Sequence, residues 1–118
     1  MKLTKRAIKR LQEEPKIVQI FNGYFNRVTV TASFSQYSLE LTVDVTHPLL
    51  EKFGAFNEVS LMYWSNRDGG SRIDIPEELN PLVDEMKLMG KMSDEKAQSL
   101  LESIEESIRA FSKEFFYF

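Results

Sequence analysis

Two runs of strict alternation constrain this chain more than any other feature. Between Tyr24 and Phe34, the residues Tyr24, Val28, Val30, Ala32 and Phe34 alternate with Arg27, Thr29, Thr31 and Ser33. Between Tyr37 and Thr46, Tyr37, Leu39, Leu41, Val43 and Val45 alternate with Ser38, Glu40, Thr42, Asp44 and Thr46. Successive side chains of a strand point to opposite faces, so each run has one apolar and one polar face. That pattern belongs to an antiparallel sheet with a core on one side and water on the other.

Further strand signals flank this pair. Ile17, Val18, Ile20 and Phe21 precede Asn22-Gly23, a pair suited to the positive φ angles of a two-residue type I′ turn, which predicts a hairpin into Tyr24 and Phe25. His47-Pro48 ends the alternation, because proline removes a donor and restricts the residue before it; Leu49–Phe53 then reads as one helical turn closed by Gly54. A fourth strand fits Val59–Trp64 and a fifth Arg72–Ile75, joined by a loop over Ser65–Ser71.

The ends of the chain follow helical periodicity. After Thr4 as N-cap, Leu3, Ala7, Ile8 and Leu11 share one arc, Lys2, Lys5, Arg6, Lys9 and Arg10 cover the other, and Pro15 stops the pattern. Asn80-Pro81 starts a second helix with Leu82, Val83, Met86 and Met89 inward and Gly90 after its end. Ser93-Asp94-Glu95 starts a third, in which Ala97, Leu100, Leu101, Ile104, Ile108, Phe111 and Phe115 recur at spacings of three and four, a stripe able to lie across the sheet. The expectation is an α+β chain: an N-terminal helix, a five-stranded mainly antiparallel sheet and two C-terminal helices packed on one face, with residues 1–118 as a single domain. A length of 118 residues suffices to bury such a core without a staple.

Composition narrows the chemistry. No cysteine is present, so disulfides, thiolate zinc sites and cysteine nucleophiles are excluded, and a reducing, cytoplasmic setting is the expectation. No apolar run has the length of a membrane span, and no apolar segment follows the basic start, so neither a span nor a signal peptide is expected. Charge is uneven: residues 1–16 carry six positives and two negatives, residues 77–118 five and ten. Such asymmetry orients partners but does not determine fold.

Sites of chemistry are sparse. His47, the only histidine, stands where a strand-end cap would, without a nucleophile motif around it. With scattered acids such as Asp44 or Glu51 it falls short of the ligand count and spacing of zinc or calcium sites. Asp68-Gly69-Gly70-Ser71, flanked by Arg67 and Arg72, departs from the phosphate-loop pattern and leads into a strand, so it reads as a hairpin loop. Glu40 and Asp44 fall on the solvent side of a strand, without the enclosure that raises an acid's pKa. No catalytic residue, cofactor or metal is therefore expected.

Interaction surfaces are better represented. Phe115-Phe116-Tyr117-Phe118 places four aromatics where chain ends are usually polar; Phe116 and Tyr117 point away from the apolar stripe, and Phe118 continues it. Tyr63 and Trp64 fall on opposite faces of the fourth strand, so one of them faces away from the core. Tyr63, Trp64, Phe116, Tyr117 and Phe118 are thus the candidate partner-binding residues, aromatics being favoured in interface cores. Ser99, Ser103 and Ser107, spaced four apart near Ala110, make a strip that another helix could approach closely. Lys2, Lys5, Arg6, Lys9 and Arg10 are candidate contacts for an anion or nucleic acid.

The element order is similar to that of two fold groups, the class I type III secretion chaperones and the ubiquitin-conjugating fold, both of which begin with a helix followed by an antiparallel meander. The likeness is one of topology, and the cysteine that ubiquitin transfer requires is missing. The functional expectation is a non-enzymatic protein-binding module, an adaptor, chaperone or inhibitor of the kind common among bacterial and phage accessory proteins, acting through aromatic and acidic surfaces. A homodimer is one form of it. The alternatives are a ligand-binding protein or enzyme with a pocket between sheet and helices, and nucleic-acid contact through the basic helix.

Overall fold

The N-terminal helix starts where its sequence says it should. Thr4, in extended conformation, accepts a hydrogen bond from the Ala7 N–H at 3.1 Å, and α1 runs over Lys5–Glu13 with Ala7, Ile8 and Leu11 buried beneath it. The computed structural model describes residues 3–14, 16–20, 24–54, 57–67 and 69–116, and for 17–20 and 113–116 the backbone alone. Pro15 and the turn expected at Asn22-Gly23 lie outside the described residues.

The strands are β1 (Ile17–Ile20), β2 (Phe25–Ser33), β3 (Tyr37–Thr46), β4 (Glu58–Ser65) and β5 (Gly69–Ile73), paired antiparallel in chain order. Strands β2 to β5 make the body of the sheet, and the short β1 pairs by its backbone along the outer edge of β2. Registers such as Val30↔Leu41 and Leu41↔Leu61 carry the alternation across the sheet, so Val28, Val30, Leu39, Leu41, Val43 and Leu61 form one apolar floor. A one-residue slip would turn this floor outward, and so the pattern fixes the register.

Helices α1 and α2 (Asn80–Met89) cover that floor, with Leu11, Leu79, Leu82, Val83 and Met86 against it. Leu11, Leu39, Leu41, Leu61, Leu79 and Met86 are wholly buried, each contributing about 1.5–3 kcal/mol relative to exposure. Met89, expected inward, is 38% exposed, because Gly90 takes the inward position of the last turn. A Cβ at Gly90 would lie 3.0 Å from Val45 Cγ2 and 3.2 Å from Val28 Cγ2, so glycine lets the helix end touch the sheet. Asn26 pins the same point by donating from Nδ2 to the Gly90 carbonyl at 2.9 Å.

The long helix α3 (Asp94–Phe116) departs from expectation. It does not lie across the sheet; it packs on the 3₁₀ segment Pro48–Phe53 that connects β3 to β4. Leu50, Met92 and Ala97 are buried there, with Tyr24, Phe53, Leu100, Leu101 and Ile104 around them, as a second cluster beside the main core. Met92, buried just after Gly90, draws the chain off the sheet before α3 begins. Of the two C-terminal helices only α2 therefore packs on the sheet face. The overall shape follows: extents of 62 × 31 × 20 Å and a radius of gyration of 18.2 Å, against roughly 13–14 Å for a compact chain of this length.

Candidate functional site

Helix α3 extends beyond the cluster that holds it. With 23 residues it is about 34 Å long. Ala97 is buried, Leu100, Leu101 and Ile104 are half-buried, and then Ile108 is 51% and Phe111 56% exposed. Ala97, Leu101, Ile104, Ile108 and Phe111 recur at intervals of four and three, the spacing of a seam between helices, and the covered half of that seam continues without a break into the open half. Serines at 103 and 107 hollow the open part, and with Tyr24, Ile104, Ile108 and Phe111 they line a groove of about 400 Å³. The small-residue strip seen in the sequence is thus one wall of an apolar groove.

Two contacts fix where the helix points. Asp94 in the first turn meets His47 Nε2 at 2.8 Å, and Glu105 meets Lys52 Nζ at 2.6 Å. The His47 hydrogen bond holds the Asp94 carboxyl below the usual carboxylate range; the hydrogen bond and charge of Lys52 do the same for Glu105. His47 Nδ1 also accepts from the Leu49 N–H at 3.1 Å, so the proton of the neutral ring sits on Nε2 and is donated to Asp94. The histidine caps one helix and tethers another.

The candidate aromatics separate. Trp64 lies on the sheet face away from the helices, 44% exposed. Its ring covers Gly70 on the neighbouring strand, where a Cβ would come within 2.4 Å of the ring. This explains Gly70 without an anion: the expected loop over Ser65–Ser71 is strand from Gly69 onward, because the bare glycine surface receives the indole. Tyr63 is half-buried on the inward face; it stacks on Tyr37 at 5.2 Å, and Tyr37 on Phe34 at 4.7 Å, against the main core. Tyr117 and Phe118 lie outside the described residues, and Phe116 is described by its backbone alone.

The basic helix lies beside that ring stack. The guanidinium carbons of Arg6 and Arg10 are each 5.7 Å from the centre of the Phe34 ring. Arg10 also pairs with Glu14 at 3.1 Å. Lys5 and Lys9 are exposed, and Lys2 lies outside the described residues.

Asp44 is only 8% exposed, contrary to its expected solvation, since it sits on a central strand and holds Arg27 through two hydrogen bonds of 2.7 and 3.0 Å. The bond to Asp44 raises the Arg27 pKa above its ordinary value, outweighing burial. Asn26 is the functional-looking residue that the alternation missed, a buried amide at an inward position whose Oδ1 makes no hydrogen bond to the described residues. Its signal was a polar residue where the period of two demands an apolar one. Among the described residues, no three His, Asp or Glu side chains converge as metal ligands, and no helix is long and apolar enough to cross a membrane. Comparison of the chain with protein-family models, curated proteins and solved structures finds no match.

Proposed function

We propose that the chain is a non-enzymatic protein-binding module that docks another polypeptide along the open half of α3. The observation that carries this is the continuity of the seam: residues of one stripe are buried at Ala97 and half-exposed at Ile108 and Phe111, with no break in spacing. A helix end of about three turns is marginal alone in water, so an apolar face on it is best explained by a partner that covers it.

Magnitudes define the partner. Burying Ile108 and Phe111 yields about 1.5–3 kcal/mol each, whereas association opposes binding by about 4–15 kcal/mol. Those two side chains alone are insufficient. The partner must also fill the groove between Tyr24 and the two serines with an apolar anchor, the pattern of a helix laid in a groove. A C-terminal third with ten acids and five bases favours a partner whose apolar stripe is flanked by lysine or arginine.

The experiment is to compare Ile108→Asp with Glu106→Gln, on the far side of the same turn. Protein association, measured by light scattering for a second copy and by stoichiometric capture for another polypeptide, should vanish in the first variant and persist in the second. Association that survives Ile108→Asp would place docking elsewhere, with Trp64 on the open sheet face the next candidate.

A further inference from the structure

The end of the sheet opposite the Gly90 contact carries a second feature that protein docking on α3 does not use. Phe34 and Tyr37, at the β2–β3 turn, and Tyr63, on β4, form a continuous stack with ring planes 15° and 26° apart. Arg6 and Arg10 stand over its Phe34 end. Two grooves meet on this stack and share Tyr37: one of about 570 Å³ beside Arg6, Arg10 and the Ser33 and Ser35 hydroxyls, the other of about 580 Å³ beside Tyr63, Gln36, Asn66 and Arg67.

The charge pattern is the unexpected part. The chain has 18 acids against 15 bases, yet among the described residues neither groove is lined by an Asp or Glu, while three arginines line them. Arg6 and Arg67 make no ion pair among the described residues. Guanidinium groups at both ends of an aromatic run, with serine hydroxyls at one end and carboxamides at the other, supply what a flexible polyanion bearing flat rings needs: phosphate partners, a stacking platform, and donors and acceptors for base edges.

From this we infer that the rim from Arg6 to Arg67 binds a short stretch of single-stranded nucleic acid. Arg6 and Arg10 hold backbone phosphates beside Phe34, Arg67 holds a further one, and an unpaired base extends the stack at Tyr63, its edge read by Gln36 or Asn66. A duplex keeps its bases stacked on one another and offers this rim phosphates alone, and an acidic peptide leaves the ring stack unused. The site is distinct from α3, and a nucleic-acid strand and a protein partner would be bound independently.

The test is fluorescence anisotropy of the full chain against labelled oligothymidylate and oligouridylate, with a blunt duplex of equal length and polyglutamate as competitors. The inference expects single strands of either sugar to bind and to outcompete both. The log of affinity should fall against log salt with a slope near 2 for three phosphates, at about 0.7 each, and the slope should drop by about 0.7 in Arg6→Gln and in Arg67→Gln. Both substitutions are on exposed side chains, and circular dichroism checks that the fold is retained. Absence of binding at low salt, equal competition by duplex or polyglutamate, or unchanged slopes in both variants would overturn it. Binding unaffected by Ile108→Asp separates this site from the α3 surface.

Discussion

His47 and Asp94, 47 positions apart, meet at 2.8 Å and join the end of β3 to the first turn of α3. The same imidazole accepts the Leu49 N–H, so one side chain sets both the 3₁₀ segment under α3 and the direction in which α3 leaves the body. Replacing His47 by Ala should remove a cap and a tether together and destabilise by about 1–2 kcal/mol. His47→Asn keeps an acceptor for Leu49 and should recover part of this. Urea unfolding of the two variants checks the order.

Acid should act on the same tether. Asp94 and Glu105 have folded pKa values below their ordinary 3.8 and 4.5, each because of its cationic or hydrogen-bonding partner on the body. A depressed carboxyl stabilises the fold above its unfolded pKa and loses that contribution as pH falls through the folded value. The attachment of α3 is thus at full strength above about pH 4.5 and weakens below it. Amide exchange measured through this window should show α3 losing protection before the sheet; a simultaneous loss would contradict the separate anchoring of the helix.

Trp64 offers a direct optical report, being the only tryptophan. Gly70→Ala puts a methyl where the indole lies, so the ring, which is already part-exposed, must rotate away. Its emission should shift to the red, while stability changes by no more than about 1 kcal/mol, since a side chain rather than backbone gives way. An unshifted spectrum would show that the indole is not seated on Gly70.

Asn26 is the reverse case, a small polar group with a large expected effect. Asn26→Ala removes the side-chain hydrogen bond given to the Gly90 carbonyl and should destabilise by about 1–3 kcal/mol in thermal or urea unfolding. A neutral result would mean that close packing of Gly90 on Val28 and Val45 suffices to seat α2.

Much of the sheet was legible because its signal is local: a period of two in Val28 to Phe34 and Tyr37 to Val45 encodes which face is buried, and pairing follows. Thr4 and Ser93 likewise announce their helices through hydrogen bonds to residues three positions on. What was not legible depends on distant partners. The stripe of α3 looks the same whether it covers a sheet or a single 3₁₀ turn, and only the burial of Leu50, Met92 and Ala97 in one cluster decides between them. Gly70 resembled a loop glycine because nothing in its neighbours reveals the indole across the strand pair. Tyr63 and Trp64 could be assigned to opposite faces but not to particular ones, and the stack of Phe34, Tyr37 and Tyr63 depends on two turns that meet only in three dimensions.

The most direct test of protein docking on α3 is site-specific photocrosslinking in the cells that make the protein. A benzophenone amino acid is placed at Ile108 and, in a parallel sample, at Glu106 on the opposite side of the helix. Docking on the seam predicts one discrete protein adduct from position 108, its mass distinguishing a second copy from another polypeptide, and none from position 106. No adduct at 108, or the same products from both positions, would contradict it.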